Sequence, residues 1–362
     1  MIKNRVLVGM SGGVDSSVAA FILKERGYDV IGVTLQVWHE QYNHDRIRDR
    51  GCCSLSSVED ARQAANHIGI PFYVMNTKEV FKKKVVDYFI DEYLEGRTPN
   101  PCIACNRYIK FEYFLNKALE LEAFYVATGH YADIEFNEIK QRYLLKKSRA
   151  VDKDQSYALY SLTQYQLEHA LFPLSPYTKD QVRDIAKEIG LVTADKPDSQ
   201  EICFVEDNNY ARFIGEQINA DPRPGNFVDT DGKVLGRHNG IFNYTIGQRK
   251  GLGVTFGKPM YVVAICPEKD QVVLGEHDEV FSQEMTVAET NFISIPSLKK
   301  NLRVNVKIRY SAPEVPATIS PLGDGRVHVL FDKPERAITP GQAAVFYQGD
   351  DVLGGGTIEH KI

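Results

Sequence analysis

Apolar and polar positions in the first two hundred residues switch between the period of a strand and that of a helix. "RVLVGM" is a short apolar run that stops at Ser11-Gly12-Gly13. In "SSVAAFILKERG" the residues Val18, Ala19, Ile22 and Leu23 fall on one helical face, and Gly27 follows as a C′ glycine. "DVIGVTLQVW" reads as the next strand, "SVEDARQAANHIG" as a helix opened by a Ser cap, and "IPFYVMN" as a third strand. The spacing of Val80, Val85, Phe89 and Tyr93 predicts a helix over "EVFKKKVVDYFIDEYLEG". A Pro-rich loop comes next, then a helix from about Asn106 to Leu121 that feeds the strand "AFYVATGHYA". This order is βαβα, so the expected fold is α/β: a parallel sheet with helices on both faces. Ligands of such sheets sit at the carboxyl ends of the strands.

After "EICFVED" (201–207) the pattern changes. "PRPGNFVDTDGKVLGRHNG" is a run of turn residues, which suits a boundary and a small β-rich segment. From about Thr286 strands dominate. Val304, Val306 and Ile308 alternate, the "GDGR" turn follows, then "VHVLF" and "AAVFY", which together predict a small barrel. The expected domains are 1–205, 206–282 and 283–362.

Composition narrows the partners. The 362 residues are 43% hydrophobic and 25% charged, and the net charge of −5 gives no global attraction to nucleic acid, so an RNA partner needs a local basic patch. Two clusters qualify: Lys140, Arg142, Lys146, Lys147, Arg149 and Lys153, and "SLKKNLRVNVKIRY" in the barrel. "FKKKVV" at 81–86 reads first as a solvated helix face. The longest apolar runs fall far short of a membrane span, and the N-terminal residues lead straight into a strand-like run, so no membrane role and a cytoplasmic location are expected. Six cysteines (52, 53, 102, 105, 203 and 266) in a chain of this size do not make a disulfide scaffold. Cys52, Cys53 and Cys266 read as structural thiols, and His130 as either a nucleotide-orienting or a satisfied buried histidine.

The strongest chemical signal is "VLVGMSGGVDSS". A strand ends in small residues whose N–H groups can line one concavity, with a helix N-terminus just behind, and both features favour a polyphosphate. Asp15 repels phosphate by itself and suits Mg²⁺ or loop orientation better. "GVTFGKP" has the wrong spacing for the Walker loop, and "GLGVTF" lacks the last glycine of the dinucleotide fingerprint. A second signal is "TPNPCIACN". By themselves Cys102 and Cys105 could bind zinc, cycle as a redox disulfide, hold an iron–sulfur cluster, or supply a nucleophile.

"SGGVDSS" resembles the PP-loop of the ATP pyrophosphatase superfamily (adenine nucleotide α-hydrolase-like), enzymes that cleave ATP to AMP and pyrophosphate while adenylating a substrate oxygen. The succession "GMSGGVDSSVAA", "GCCSLSSVEDAR", "GRTPNPCIACNRYIKF", "ATGHYA", "KDQSYALY", "KPDSQEICFV" and "YTIGQRKGLG" is similar to the tRNA-specific 2-thiouridylase family, and "RYSAP" and "PGQAAVFY" fit that family's C-terminal barrel. The resemblance implies a sulfurtransferase that uses ATP with Mg²⁺ to activate the C2 oxygen of the wobble uridine (U34) of tRNA and replace it by sulfur. It implies ATP contacts at Gly9, Met10, Ser11, Gly12, Gly13, Val14, Asp15 and Ser16, with Leu35 and Gly129 near the nucleotide. The family usually has Met at the position of Leu35, a swap that conserves volume. It places Asn100, Pro101 and Cys102 against the target base, and Lys153, Asp154, Gln155, Arg309 and Tyr310 against tRNA. Cys105 matches the family nucleophile. Cys203 matches the cysteine that carries a persulfide or closes a disulfide with it.

Cys102 stands where the better-known motif has Asp, and two sulfur mechanisms stay open. The expected sulfur donor is a persulfide carrier protein or sulfide. In one mechanism Cys203 receives a persulfide from a carrier protein, and Cys105 assists or later forms a disulfide with Cys203. In the other, Cys102, Cys105 and Cys203 hold a [4Fe–4S] cluster with one iron open to sulfur. The alternative functions are another PP-loop ligase acting on a small molecule, which has no need of the cysteines or the barrel, and a non-catalytic metal or redox RNA-binding protein.

Overall fold

The computed structural model describes residues 2–37, 55–196, 202–205, 207, 209–218, 223–254 and 257–361. Cys52 and Cys53 lie outside them. The chain forms two compact units, one of residues 1–86, 101–208 and 349–352, the other of residues 87–100, 209–348 and 353–362.

The first unit is built on a parallel sheet in the order β3-β2-β1-β4-β7: β1 Ile2–Gly9, β2 Asp29–Gln36, β3 Phe72–Asn76, β4 Ala123–Ala127 and β7 Ala170–Leu171. The central strand β1 buries Val6, Leu7 and Val8 completely, as expected of a strand covered on both faces. Helices α1 (Val14–Glu25) and α2 (Leu55–Ile68) pack with it through Val18, Ala19, Ile22, Leu23, Ala61, Ala64 and Ala65. Val18, Ala19, Ile22 and Leu23 are the face that the spacing predicts, and α1 stops before Gly27 at φ +82°. The chain leaves β1 toward β2 on one side and reaches β4 on the other, so the crevice at the carboxyl end of β1 lies at the reversal of strand order. The hairpin β5 (Asp133–Asn137) and β6 (Arg142–Lys146) carries Lys140, Arg142 and Lys146 of the first basic cluster.

Helix α3 (Lys78–Phe81) runs into a π-helical turn, Lys82–Val86, and α4 (Asp87–Leu94) belongs to the second unit. The cysteine region departs from expectation. Helix α5 (Pro101–Ala104), a π-helical segment Cys105–Tyr113 and α6 (Phe114–Glu120) follow one another without a break. The helix thus starts five residues before Asn106. Pro suits the first helical position, where no N–H is needed, and Asn suits the cap before it. Cys102 therefore lies in the first turn and Cys105 in the second, so the strongest helix-end field acts at Cys102 and less at Cys105. The remaining helices are α7 (Gln164–Glu168), α8 (Lys179–Glu188) and α9 (Tyr210–Ile218).

The second unit holds a small sheet in the order β10-β11-β8-β9 (Tyr261–Cys266, Gln271–Gly275, Gly225–Val228, Val234–His238). It also holds a closed six-stranded antiparallel barrel. Strands β12 (Phe281–Phe292), β15 (Arg326–Arg336), β14 (Val315–Gly323), β13 (Leu302–Lys307), β16 (Ala343–Gln348) and β17 (Asp351–Lys361) follow in order, and β17 pairs back onto β12. Val304 and Val306 point into its core with Phe331 and Phe346, as their alternation predicts. Residues 87–100 pack with this second unit. Tyr93 stacks on Tyr210 with ring centroids 4.7 Å apart, Thr98 N–H donates to Pro340 O at 2.8 Å, and Gln342 Nε2 donates to Thr98 O at 3.0 Å. Gly341, at φ +88°, has no room for a side chain: a Cβ there would stand 2.9 Å from Thr98 N.

Candidate active site

The loop after β1 is fixed before any ligand arrives. Met10 N–H donates to Val33 O at 2.8 Å, Thr34 Oγ1 donates to Met10 O at 2.7 Å, and the Met10 side chain is buried. Met10 thus plugs the core over Gly32, where a Cβ would stand 2.6 Å from its sulfur, and only its backbone belongs to the cradle. Val14 is likewise buried. Gly12 adopts φ +70° and presses on α2, where a Cβ would meet the Ser57 carbonyl at 2.2 Å. Gly13 caps α1 without a side-chain hydrogen bond, so the helix N-terminus is not closed by a side chain. Ser16 Oγ accepts from Ser11 N–H at 3.1 Å, and Ser16 Oγ and Ser17 Oγ donate to Gly13 O at 3.2 and 3.0 Å. Gly129, just beyond β4, completes the enclosure, since a Cβ there would stand 2.7 Å from Asp15 C and Ser16 N. Leu35, half-buried near the end of β2, pairs in register with Met75.

Charge at the loop is balanced by residues that sequence reasoning did not single out. Lys179 at the start of α8 donates to both Asp15 oxygens at 2.8 Å, and Tyr131 OH donates to Asp15 Oδ1 at 2.8 Å. Lys196 donates to Asp60 Oδ2 at 2.6 Å and lies 3.3 Å from Gly12 O. The only local signal for Lys179 was its place after Thr178, which forms a capping box with Gln181. Nothing local tied it to a loop 164 residues earlier.

Cys102 is exposed and Cys105 half-buried. Their helix is tethered by Asn106, whose Nδ2 donates to Ala158 O at 3.0 Å and whose Oδ1 accepts from Lys110 Nζ at 2.9 Å. Exposed Cys203 is followed by buried Phe204, whose ring meets Phe81 edge-on at 5.8 Å, and the helical stretch around Phe81 packs against the Cys105 segment. Among the described residues, no group of three His, Cys, Asp or Glu side chains is gathered to hold a metal ion. His130 is a buried histidine between Phe111 and Phe172, with Nδ1 2.7 Å from Thr128 Oγ1. Burial, reinforced by the Lys110 ammonium, holds its imidazole well below the ordinary histidine range.

In the segment 153–155, Lys153 is half-buried, and Asp154 accepts from Ser148 N–H at 3.0 Å and from Ser156 Oγ at 2.7 Å. Gln155 Oε1 accepts from Tyr131 N–H at 3.0 Å. Asp154 and Gln155 therefore shape the turn with their side chains. In the second unit Asn100, Arg309 and Tyr310 come together, lining a cavity of about 330 Å³ with Thr98, Thr245 and Gln342. Arg309 Nη2 donates to Thr339 Oγ1 at 2.9 Å, and Lys307 Nζ lies over the Tyr310 ring at 5.5 Å.

Three family models match the chain in succession: a tRNA methyl transferase HUP domain over residues 4–207, a tRNA methyl transferase PRC-barrel domain over 211–276, and an aminomethyltransferase β-barrel domain over 282–358. Those descriptions speak of methyl transfer. The full-length relatives carry a different name. The chain is 62% identical to tRNA-specific 2-thiouridylase MnmA 1 of Thermoanaerobacter pseudethanolicus, with 99% of each chain covered. The chain belongs to the tRNA-specific 2-thiouridylase family. It is also 59% identical to the 2-thiouridylase MnmA of Acetivibrio thermocellus over 99% of this chain and 100% of that one, and 58% identical to that of Clostridioides difficile over 100% and 99%. At such identity across the full length, the thiouridylase reading prevails over the domain descriptions. Among the described residues no helix is long and apolar enough to cross a membrane.

Proposed function

We propose that the chain binds ATP at Gly9–Ser16, adenylates the C2 oxygen of a tRNA wobble uridine, and replaces that oxygen by sulfur through Cys203 and Cys105. The observation that carries this reading is the preformed loop, with its uncapped helix N-terminus and Gly129 closure, in a chain of this family. Oxide is a very poor leaving group, so the carbonyl must be activated first. The uridine O2 attacks the α-phosphorus of ATP and pyrophosphate departs. Loop N–H groups and the start of α1 stabilise the phosphate charge. Mg²⁺ would neutralise the pyrophosphate, while Asp15, with both oxygens held by Lys179, serves to orient the loop.

Sulfur transfer follows the persulfide route. The terminal sulfur of a Cys203 persulfide attacks C2, and AMP leaves with the former O2. The Cys105 thiolate then attacks the Cys203 sulfur, which releases 2-thiouridine and leaves a Cys105–Cys203 disulfide. A thiol reductant returns both cysteines by supplying two electrons. The placement of Phe204 on Phe81, beside the Cys105 segment, supports this pairing. No step needs Cys102.

Mass spectrometry of nucleosides from tRNA incubated with the enzyme, ATP and a persulfide donor tests the reading. Cys105→Ala and Cys203→Ala should lose 2-thiouridine but keep tRNA-dependent pyrophosphate release, whereas Cys102→Ala should keep both. Pyrophosphate release that ignores tRNA and responds to a small amine acceptor would overturn the assignment in favour of a small-molecule ligase.

A further inference from the structure

The lysine run at 82–84 and the helix after Pro101 meet in the fold. The π-helical turn Lys82–Val86 packs against the π-helical segment Cys105–Tyr113. Where they meet, two cations lie over the Tyr108 ring, with Lys84 Nζ 5.1 Å and Arg107 Cζ 5.0 Å from its centroid. Lys83, Lys84 and Arg107 are exposed and Tyr108 is half-buried. A ring face orients a cation without cancelling its charge, so the contacts hold positive groups in place and leave their field intact.

We propose that Lys83, Lys84, Arg107 and Tyr108 form a docking surface for the sugar–phosphate backbone of tRNA beside Cys105. The inference rests on the reading of tRNA as substrate. The whole chain carries a net charge of −5, so attraction to a polyanion has to come from local clusters. Arg107 and Tyr108 lie within one turn of Cys105, and Asn100 and Pro101 precede it by a few residues. Phosphates held here would therefore belong to nucleotides near the reacting base. Cations held at an aromatic ring suit RNA, which offers phosphates and stackable bases together. An acidic persulfide-carrying protein is the competing occupant, and it has no use for the aromatic ring.

The test is titration of an unmodified tRNA transcript across a salt series, with ATP binding measured in parallel. Arg107→Glu should weaken tRNA binding about tenfold and reduce the slope of log K against log salt by about one, with ATP affinity unchanged. Lys187→Glu, the same charge change on exposed α8, is the control and should cost less than about twofold. Should Arg107→Glu fold poorly, the milder pair Lys83→Gln/Lys84→Gln should lower affinity and slope in the same direction. Equal losses in Arg107→Glu and Lys187→Glu would overturn the patch. So would unchanged tRNA binding with sulfur transfer lost only when an acidic carrier is the donor. Wild-type protein that fails to bind tRNA at all would overturn the functional reading itself, whereas normal wild-type binding with unaffected variants removes the patch alone.

Discussion

Lys179 holds Asp15 through both carboxylate oxygens at 2.8 Å, across 164 residues of sequence. An aspartate in the first turn of α1 is well placed for the helix field but hostile to an incoming phosphate. The lysine settles that conflict by cancelling the charge locally. Its side chain is only 12% exposed, so the pair is screened less than an ordinary surface ion pair.

Breaking this pair from the lysine side should be costly. Lys179→Ala leaves Asp15 with Tyr131 as a neutral donor, and the expected loss of stability is about 1–3 kcal/mol. Urea unfolding of the ligand-free protein measures it. Lys179→Ala/Asp15→Asn should recover part of the loss, and a double mutant as unstable as the single one would contradict charge compensation as the cause.

Gly129 makes a sharper test of the loop. A methyl group there would overlap Asp15 and Ser16 backbone atoms at 2.7 Å, and backbone cannot step aside as a flexible side chain can. Gly129→Ala should therefore lower ATP affinity about tenfold or more, roughly the 1–3 kcal/mol typical of overpacking. Calorimetric titration with ATP reads it. Gly27→Ala, at φ +82° with open space around the Cβ position, serves as the control for backbone strain without a clash.

His130 should make the protein sensitive to mild acid. Its folded-state pKa lies below 6.5, so the unfolded chain takes up the proton first. Stability is then constant above pH 6.5 and falls as pH drops below it, by at most about 1.4 kcal/mol per unit, until the folded-state pKa is reached. Denaturant midpoints between pH 7.5 and pH 5 should show that fall. His130→Gln should flatten part of it, with buried His238, also shifted down, contributing the remainder.

Gly341 guards the segment before the cysteines. Gly341→Ala places a methyl 2.9 Å from Thr98 N and strains a backbone at φ +88°. The expected result is slower thiolation with unchanged ATP affinity, because the change displaces the strand of chain leading to Asn100 and leaves the loop alone. Equal damage to ATP binding would show that the effect is global unfolding instead.

The parts of this fold that were legible in the sequence depend on neighbours in the chain. The period of Val18, Ala19, Ile22 and Leu23, the alternation of Val304 and Val306, and the small residues after β1 each carry their structure locally. Met10, expected at the ATP loop, has a buried side chain, and only its backbone borders the cradle. The helix start at Pro101 was missed because the prolines of "TPNPC" were taken for a loop, although Asn-Pro is also a cap followed by a favoured first residue. Lys179, Lys196 and Tyr131 were invisible for a different reason. Each acts on a loop more than a hundred residues earlier, and no local pattern records such a pairing.

One phenol ties the two halves of the chemistry together. Tyr131 holds Asp15 with its hydroxyl, while its backbone amide is held by Gln155 in the turn that the family resemblance assigns to tRNA. Two ligands that meet through one residue are thermodynamically linked, and linkage is reciprocal. Whatever factor tRNA imposes on ATP affinity by moving this turn, ATP must impose on tRNA affinity in return. A factor above one would favour assembling both substrates over spending ATP on an empty site.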